Sequence, residues 1–337
     1  MCHRNRNRDL KMWKAKLLCS LLASSAASLV TTVAIAQDYP TKMIRILHPY
    51  SAGSGPDIAA RAVAENLSKQ WNQSVIVEAR PGASGFIGLE AAKNAAPDGY
   101  TLTLIGLAHM SMNPGLYKKL PYDWEHDFSL VGLMFRTPFF ITVRTGGKYD
   151  TVSDLISVAK ADPGGVTYAT PYVGSPIHLG GALFESLTGT KMVHVPFSDQ
   201  TQVFVSVANG DVDWTLGTIG SAGGILRAGK VKLLAIASDK RLSSQPDVPT
   251  VTEAGGPAGY EVDSWVGFAA PAKTPVAILE KVNAGIARAL AEPAVKERFA
   301  GLGYETSPST AAEFKALALR DLKKYTEIIR INGITAQ

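Results

Sequence analysis

Met43-Ile44-Arg45-Ile46-Leu47-His48-Pro49-Tyr50-Ser51-Ala52-Gly53-Ser54-Gly55-Pro56-Asp57-Ile58-Ala59-Ala60-Arg61-Ala62-Val63 reads as a short strand, a small-residue loop and the start of a helix. The strand is the apolar run 43–47. The helix spans about 57–71, because Ile58, Ala62, Val63 and Leu67 recur on one face at helical spacing. The same grammar continues outward. Val75-Ile76-Val77 is a strand, Pro81-Gly82-Ala83-Ser84-Gly85 turns into a helix ending near Ala95, and 100–105 is a strand after the Asp98-Gly99 turn.

A second block begins near residue 140. A helix over 151–160 is stopped by Pro163-Gly164-Gly165. Strand-like runs follow at 166–170, 192–195, 212–216 and 231–237, with helices at about 175–187, 200–208 and 219–228. Residues 265–270 are again strand-like. The remainder is helical, with Leu279, Val282, Ile286, Leu290 and then Phe314, Ala318, Leu322, Tyr325, Ile329 at 3.6-residue spacing. Alternating strands and helices predict an α/β protein.

Strand, small-residue loop and helix start recur at 50–57, at Thr170-Pro171-Tyr172-Val173-Gly174-Ser175 and at Gly217-Thr218-Ile219-Gly220-Ser221. Ligands of open α/β sheets sit beyond the carboxyl ends of strands. Helix N-termini there offer free N–H groups and partial positive charge, enough to hold an anion without an arginine. One such loop is an ordinary connection; three in one chain predict a binding cleft. Asp57 is expected to cap the first helix, with ordering of the ligand loop through its backbone as the alternative. Tyr50, Tyr172 and Phe197 suit a ring, His109 with Ala108 follows a strand end, and His178 and His194 are either ligand contacts or packed histidines.

The 337 residues carry a formal charge of +5. Residues 1–36 hold six of the 34 basic side chains and one of the 29 acidic ones, so the rest is balanced at 28 against 28. This balance argues against a large basic face for nucleic acid and leaves only a local patch open. Residues 17–36 are uncharged, rich in small residues, and end in Ala34-Ile35-Ala36 before Gln37-Asp38. This is an export signal cleaved near Ala36, rather than a membrane anchor. Translation from Met12 would give a shorter basic region. Cys2 and Cys19 both lie in the leader, so the mature chain has no thiol chemistry and no disulfide.

Catalytic patterns are lacking. Gly224-Ile225-Leu226-Arg227-Ala228-Gly229-Lys230 mimics a phosphate loop, but Val231 replaces the hydroxyl residue, and the stretch reads as a helix end. Gly82-Ala83-Ser84-Gly85-Phe86 is not a nucleophile elbow, and the histidines lack metal spacing. Neither a metal nor a cofactor is expected. An exported hydrolase assembling its residues in space stays open as the alternative.

The chain resembles the substrate-binding proteins of tripartite tricarboxylate transporters, the Bug family, from Tyr39-Pro40 to about Ile334. The resemblance rests on Tyr39-Pro40-Thr41-Lys42-Met43-Ile44-Arg45, Arg80-Pro81-Gly82-Ala83, Ala96-Pro97-Asp98-Gly99-Tyr100-Thr101-Leu102 and Met112-Asn113-Pro114. It continues in Leu120-Pro121-Tyr122-Asp123, Val193-His194-Val195-Pro196-Phe197, Asp247-Val248-Pro249-Thr250-Val251-Thr252-Glu253-Ala254-Gly255 and Trp265-Val266-Gly267. It implies a two-lobe periplasmic binding protein fold, type II-like, with the ligand cleft between lobes. Lobe one would be 37–140 plus 265–337, and lobe two 141–264. It also implies a periplasmic protein that takes a small organic carboxylate, held largely by backbone N–H groups and water, for the transporter's membrane subunits; a monomer is expected, because a closing two-lobe protein needs both faces free. A sensory protein feeding a receptor kinase would use the same pocket.

The contact loops depart from the family pattern. Ser51-Ala52-Gly53-Ser54-Gly55-Pro56 stands for a Pro-rich loop with paired glycines. Phe197-Ser198-Asp199 stands for aromatic-Lys-Gly, and Gly217-Thr218 for Asp-Asn. The loops offer Ser51, Ser54, Thr170, Ser175, Ser198 and Thr218 but no Lys or Arg. An Asp199 facing the cleft would repel a second carboxylate, so an aromatic or otherwise weakly charged acid is expected in preference to citrate.

Overall fold

The structure, a computed structural model, describes residues 39–197, 200–242 and 244–335. The expected leader and its cleavage point lie outside the described residues. Residues 42–337 form one unit containing two sheets. The first half of the chain runs β1 (Ile44–His48), α1 (Gly55–Trp71), β2 (Val75–Ala79), α2 (Phe86–Lys93) and β3 (Thr101–Gly106). It then enters β4 (Phe128–Pro138) and β5 (Phe140–Arg144). Next come α3 (Val152–Ala161), β6 (Thr167–Thr170), α4 (Pro176–Thr188), β7 (Val193–Pro196), α5 (Gln200–Asn209), β8 (Trp214–Gly217), α6 (Ile219–Arg227) and β9 (Val231–Ile236). The chain returns through β10 (Asp263–Pro271), α7 (Val276–Ala291), α8 (Pro293–Gly301), β11 (Glu305–Thr306) and α9 (Ala311–Asn332).

Six strands form one sheet in the order β11-β4-β10-β3-β1-β2, and five form the other in the order β7-β6-β8-β5-β9. The sequence reading finds nearly all of these elements but passes over β4 and β5. Residues 130–135 and 138–141 are continuous apolar runs, with neither alternation nor helical period. Such a run marks a strand covered on both faces, and β4 is indeed buried along most of its length. The phosphate-loop mimic is a helix end: α6 stops at Arg227, and Gly229 adopts a left-handed φ of 66°.

The chain crosses between sheets at Phe139 and again between Ile236 and Asp263. These crossings are tied to one another. Phe139 N–H donates to Val262 O (3.0 Å), Ala237 N–H to Phe139 O (2.8 Å), and Val262 N–H to Ala237 O (3.0 Å). Each sheet has its own core. Trp265, Phe314, Tyr325 and Met110 anchor the first, and Trp214, Phe184, Tyr260 and Ile141 the second. Helix α4 serves both, with Leu179 and Ala182 in one core and Ile177 and Phe184 in the other. A helix apolar all round is a buried one, and this one lies between the two cores.

Candidate ligand-binding site

Beyond the carboxyl ends of β1, β2, β3 and β6 lies a cleft of about 540 Å³. This volume is within the ~300–1,000 Å³ of ordinary small-molecule sites. Four chain segments line it: 49–54, 81–85, 108–117 and 172–176. No lining residue is charged. Its walls carry Tyr50, Tyr117, Tyr172, Met112, Leu116 and Val173, with Ser51, Ser54, Ser84, His109 and Asn113 as the polar groups.

Asp57 braces loop 50–54 through Gly53. Asp57 is buried, and its carboxylate is fully engaged: Gly53 N–H donates to Oδ2 (2.9 Å), Arg61 grips both oxygens (3.0 and 2.9 Å), and His48 Nε2 donates to Oδ1 (2.8 Å). Burial alone would raise its pKa. The bonds from Arg61, Gly53 and His48 outweigh that and hold it at about 2. The expectation that Asp57 caps the helix is corrected here. Ser54 holds the cap position, with extended backbone and no side-chain cap bond. Asp57 sits three residues on, where it restrains the loop and does not line the cleft. Ser54 Oγ is buried and has no hydrogen-bond partner among the described residues. An unpartnered buried hydroxyl is costly, and this one lies in the cleft wall at the N-terminus of a 17-residue helix.

His109 enters the cleft from a five-residue π turn, Ala108–Met112. Such turns recur at functional sites because they push one side chain out of helical register. Gly106 N–H donates to His109 Nδ1 (3.3 Å), and Tyr122 OH donates to its carbonyl (2.7 Å). Burial lowers its pKa to about 4, so the ring is neutral at pH 7. With Nδ1 accepting, the proton is on Nε2. That atom lies against Gly85, on the cleft wall.

Segment 81–85 is a site the sequence reading missed. Ala83, Ser84 and Gly85 all have positive φ, at 46°, 54° and 91°. Two non-glycine residues in this region cost roughly 1–2 kcal/mol each, and such strain concentrates at ligand clamps. Ser84 Oγ bonds Tyr117 OH at 2.8 Å across the cleft mouth. The signal was present: β2, a Pro-Gly-Ala-Ser-Gly turn and a helix start make a fourth copy of the recurring pattern.

The expected residues separate into groups. Tyr50, Ser51, Ser54, Ala108, His109, Tyr172 and Gly174 line the cleft. Ala52 and Gly53 sit exposed on the tip of their loop. Thr170, Ser175 and His178 are buried behind segment 172–176 and shape it. Ser175 caps α4 by accepting His178 N–H (3.1 Å), His178 Nδ1 accepts Gly174 N–H (3.0 Å), and Thr170 Oγ1 bonds His194 Nε2 (2.6 Å). Phe197 packs on the small core of Ala169, Val203 and Val207. Thr218 caps α6 with Ser221 (3.1 Å) and is not among the lining residues, and Gly55 lies under Tyr304. Ser198 and Asp199 fall outside the described residues.

A smaller recess of about 210 Å³ beside the strand crossing is lined by charged groups. Its arginines are already paired, Arg136 with Asp263 (2.7 Å) and Arg241 with Glu253 (2.9 Å). The uncharged cleft is therefore the better candidate.

The sequence matches the family described as "Tripartite tricarboxylate transporter family receptor" over residues 59–334. The chain belongs to that family. The receptor is 34% identical over 314 residues to a UPF0065 protein of Agrobacterium vitis, covering 92% of this chain and 89% of the relative. Its fold is that of solved periplasmic binding proteins. An R. palustris protein solved with adipate has a TM-score of 0.77 and 28% identity, over 88% of this chain and 99% of that one. MatC from Rhodopseudomonas palustris, solved with bound malate, has a TM-score of 0.71 and 28% identity, over 86% and 100%. The family and these neighbours are binding proteins.

Proposed function

We propose that this receptor is exported, loses its leader near Ala36, and captures a small organic carboxylate in the periplasm without turning it over. Membrane subunits of a tripartite tricarboxylate transporter then receive the ligand. Neighbours solved with adipate and malate support the carboxylate class. The ligand proposed is narrower: one carboxylate on an aromatic or alkyl body. Lobe one (37–140 plus 265–337) and lobe two (141–264) close on it as a monomer.

One observation carries this reading. The cleft contains no charged side chain, and one of its lining residues, Ser54, at the N-terminus of α1, carries a buried hydroxyl with no hydrogen-bond partner among the described residues. A single carboxylate there gains charge-assisted hydrogen bonds of about 1.5–3 kcal/mol each and the helix dipole, up to ~2 kcal/mol. A second or third carboxylate would be desolvated without a countercharge, at several kcal/mol each. Tyr50, Tyr117 and Tyr172 supply the surface for a ring. Calorimetry with benzoate, hexanoate, malate and citrate tests the reading. The two monocarboxylates should bind at least about tenfold tighter than citrate. Tightest binding of citrate, or product formation from any of them, overturns it.

A further inference from the structure

The third strand–loop–helix unit, at Thr218, is not among the residues lining the cleft, and the first turn of its helix packs against residues 302–303. Residues 302–304 stand between α1 and α6. On one side the Tyr304 hydroxyl touches Gly55, where any Cβ would overlap it. On the other, a Cβ on Gly220 would overlap Leu302 O, and one on Gly303 would lie 3.0 Å from Gly220 N and 3.1 Å from Ile219 Cβ. The Tyr304 ring is clamped: it lies flat on Phe135, centroids 3.9 Å apart and planes 5° from parallel, with Phe299 edge-on to both rings. Thr137 Oγ1 donates to Gly303 O (2.9 Å), fixing the turn to the end of β4. Residues 302–304 thus lie between Gly55, the neighbour of Ser54 on the cleft wall, and the first turn of α6.

We infer that Tyr304 is a specificity-determining residue that closes this end of the cleft and limits the length of ligand it accepts. The inference rests on the cleft proposed above being the ligand site. A ligand seated at Ser54 cannot extend past Gly55, because the phenol is there. Without the phenol, the first turn of α6 becomes the far end of a longer chamber. The dipole at that helix start would favour a second carboxylate.

The test is calorimetry on the purified mature protein with hexanoate, adipate and suberate, comparing wild type with Tyr304→Ala and Tyr304→Phe. Far-ultraviolet dichroism and thermal melts confirm that each variant is folded. Wild type should favour hexanoate over both diacids. Tyr304→Ala should gain about tenfold or more for suberate relative to hexanoate, the equivalent of roughly two buried methylenes. Tyr304→Phe, which keeps the ring, should move the ratio less than about threefold. An unchanged suberate-to-hexanoate ratio in folded Tyr304→Ala, with wild type still binding hexanoate, overturns this inference alone. Wild type binding none of the three acids overturns the reading of the cleft itself. Should Tyr304→Ala fail to fold, Tyr304→Leu, which keeps apolar contact with Phe135, carries the same comparison.

Discussion

His178 and His194 stack face to face, ring centroids 3.8 Å apart and planes 10° from parallel. Tyr168 lies beside both rings. Two imidazolium ions could not share this arrangement. Burial, and for His178 also the neighbouring His194, lowers each pKa from 6.5 to about 4. The unfolded chain therefore binds more protons between these values. Stability should be complete above pH 6.5 and fall as pH drops toward 4. The first proton on the pair should cost on the order of 3 kcal/mol. Because His178 holds Gly174 in the cleft wall, ligand affinity of the folded protein should weaken only as pH nears 4, where the folded ring takes up its proton. Urea melts at pH 7.5, 5.5 and 4.5 check the first expectation; a flat profile contradicts it.

Asp57→Asn should destabilise the protein by about 2–4 kcal/mol, since it strips charge from a carboxylate bonded to Arg61, His48 and Gly53 N–H. Loop 50–54 loses its restraint, so ligand affinity should also fall. Denaturant unfolding and calorimetry measure the two effects separately.

Ser54→Ala should behave unlike an ordinary helix-cap substitution. Replacing a bonded cap costs about 1 kcal/mol, but Ser54 makes no cap bond. Unliganded stability should change by less than about 0.5 kcal/mol, while carboxylate affinity drops roughly ten- to a hundredfold. A loss of stability with affinity retained would show that the hydroxyl serves the helix and not the ligand.

In segment 81–85, Gly85→Ala places a methyl group against His109 Nε2 and within 3.0 Å of Pro49 Cβ, at a φ of 91°. It should cost about 2–3 kcal/mol and displace His109. Ala83→Gly relieves a left-handed φ of 46° on an exposed residue. It should be neutral to stabilising by about 1 kcal/mol. Thermal melts of the two variants should therefore shift in opposite directions, or only the first should shift.

Much of this architecture was legible in the chain. Amphipathic period placed α1 and α9, and turn residues placed the boundaries of β2, β3 and β6. Strands β4 and β5 were not, because a strand buried on both faces carries no alternation to read. In the site, small-residue loops at strand ends pointed to 50–54 and 172–176. They also pointed to Thr218, which caps α6 and is not among the residues lining the cleft. Tyr304 has no local signature at all. Its role comes from stacking on Phe135, a neighbour that sequence spacing cannot supply. Asp57 reads in the sequence as a helix cap, but its partners His48, Gly53 and Arg61 make it a brace for the loop.

Strand β10 lies between β4 and β3 in the first sheet, although it follows both by more than 120 residues. Without it β4 has no hydrogen-bonded link to β3, β1 and β2. All five strands of the second sheet, by contrast, lie within 140–236. A chain that emerges from its N-terminus can therefore finish the second sheet while the first is still in two pieces. Residues 263–271 act as a keystone delivered late. Until they arrive, the strand ends that carry Ser54 and His109 share no completed sheet with β4, against whose Phe135 the Tyr304 gate is clamped. Binding competence is thus deferred to the last quarter of synthesis, and a polypeptide cut short before β10 would carry most of the cleft's residues with no frame to aim them.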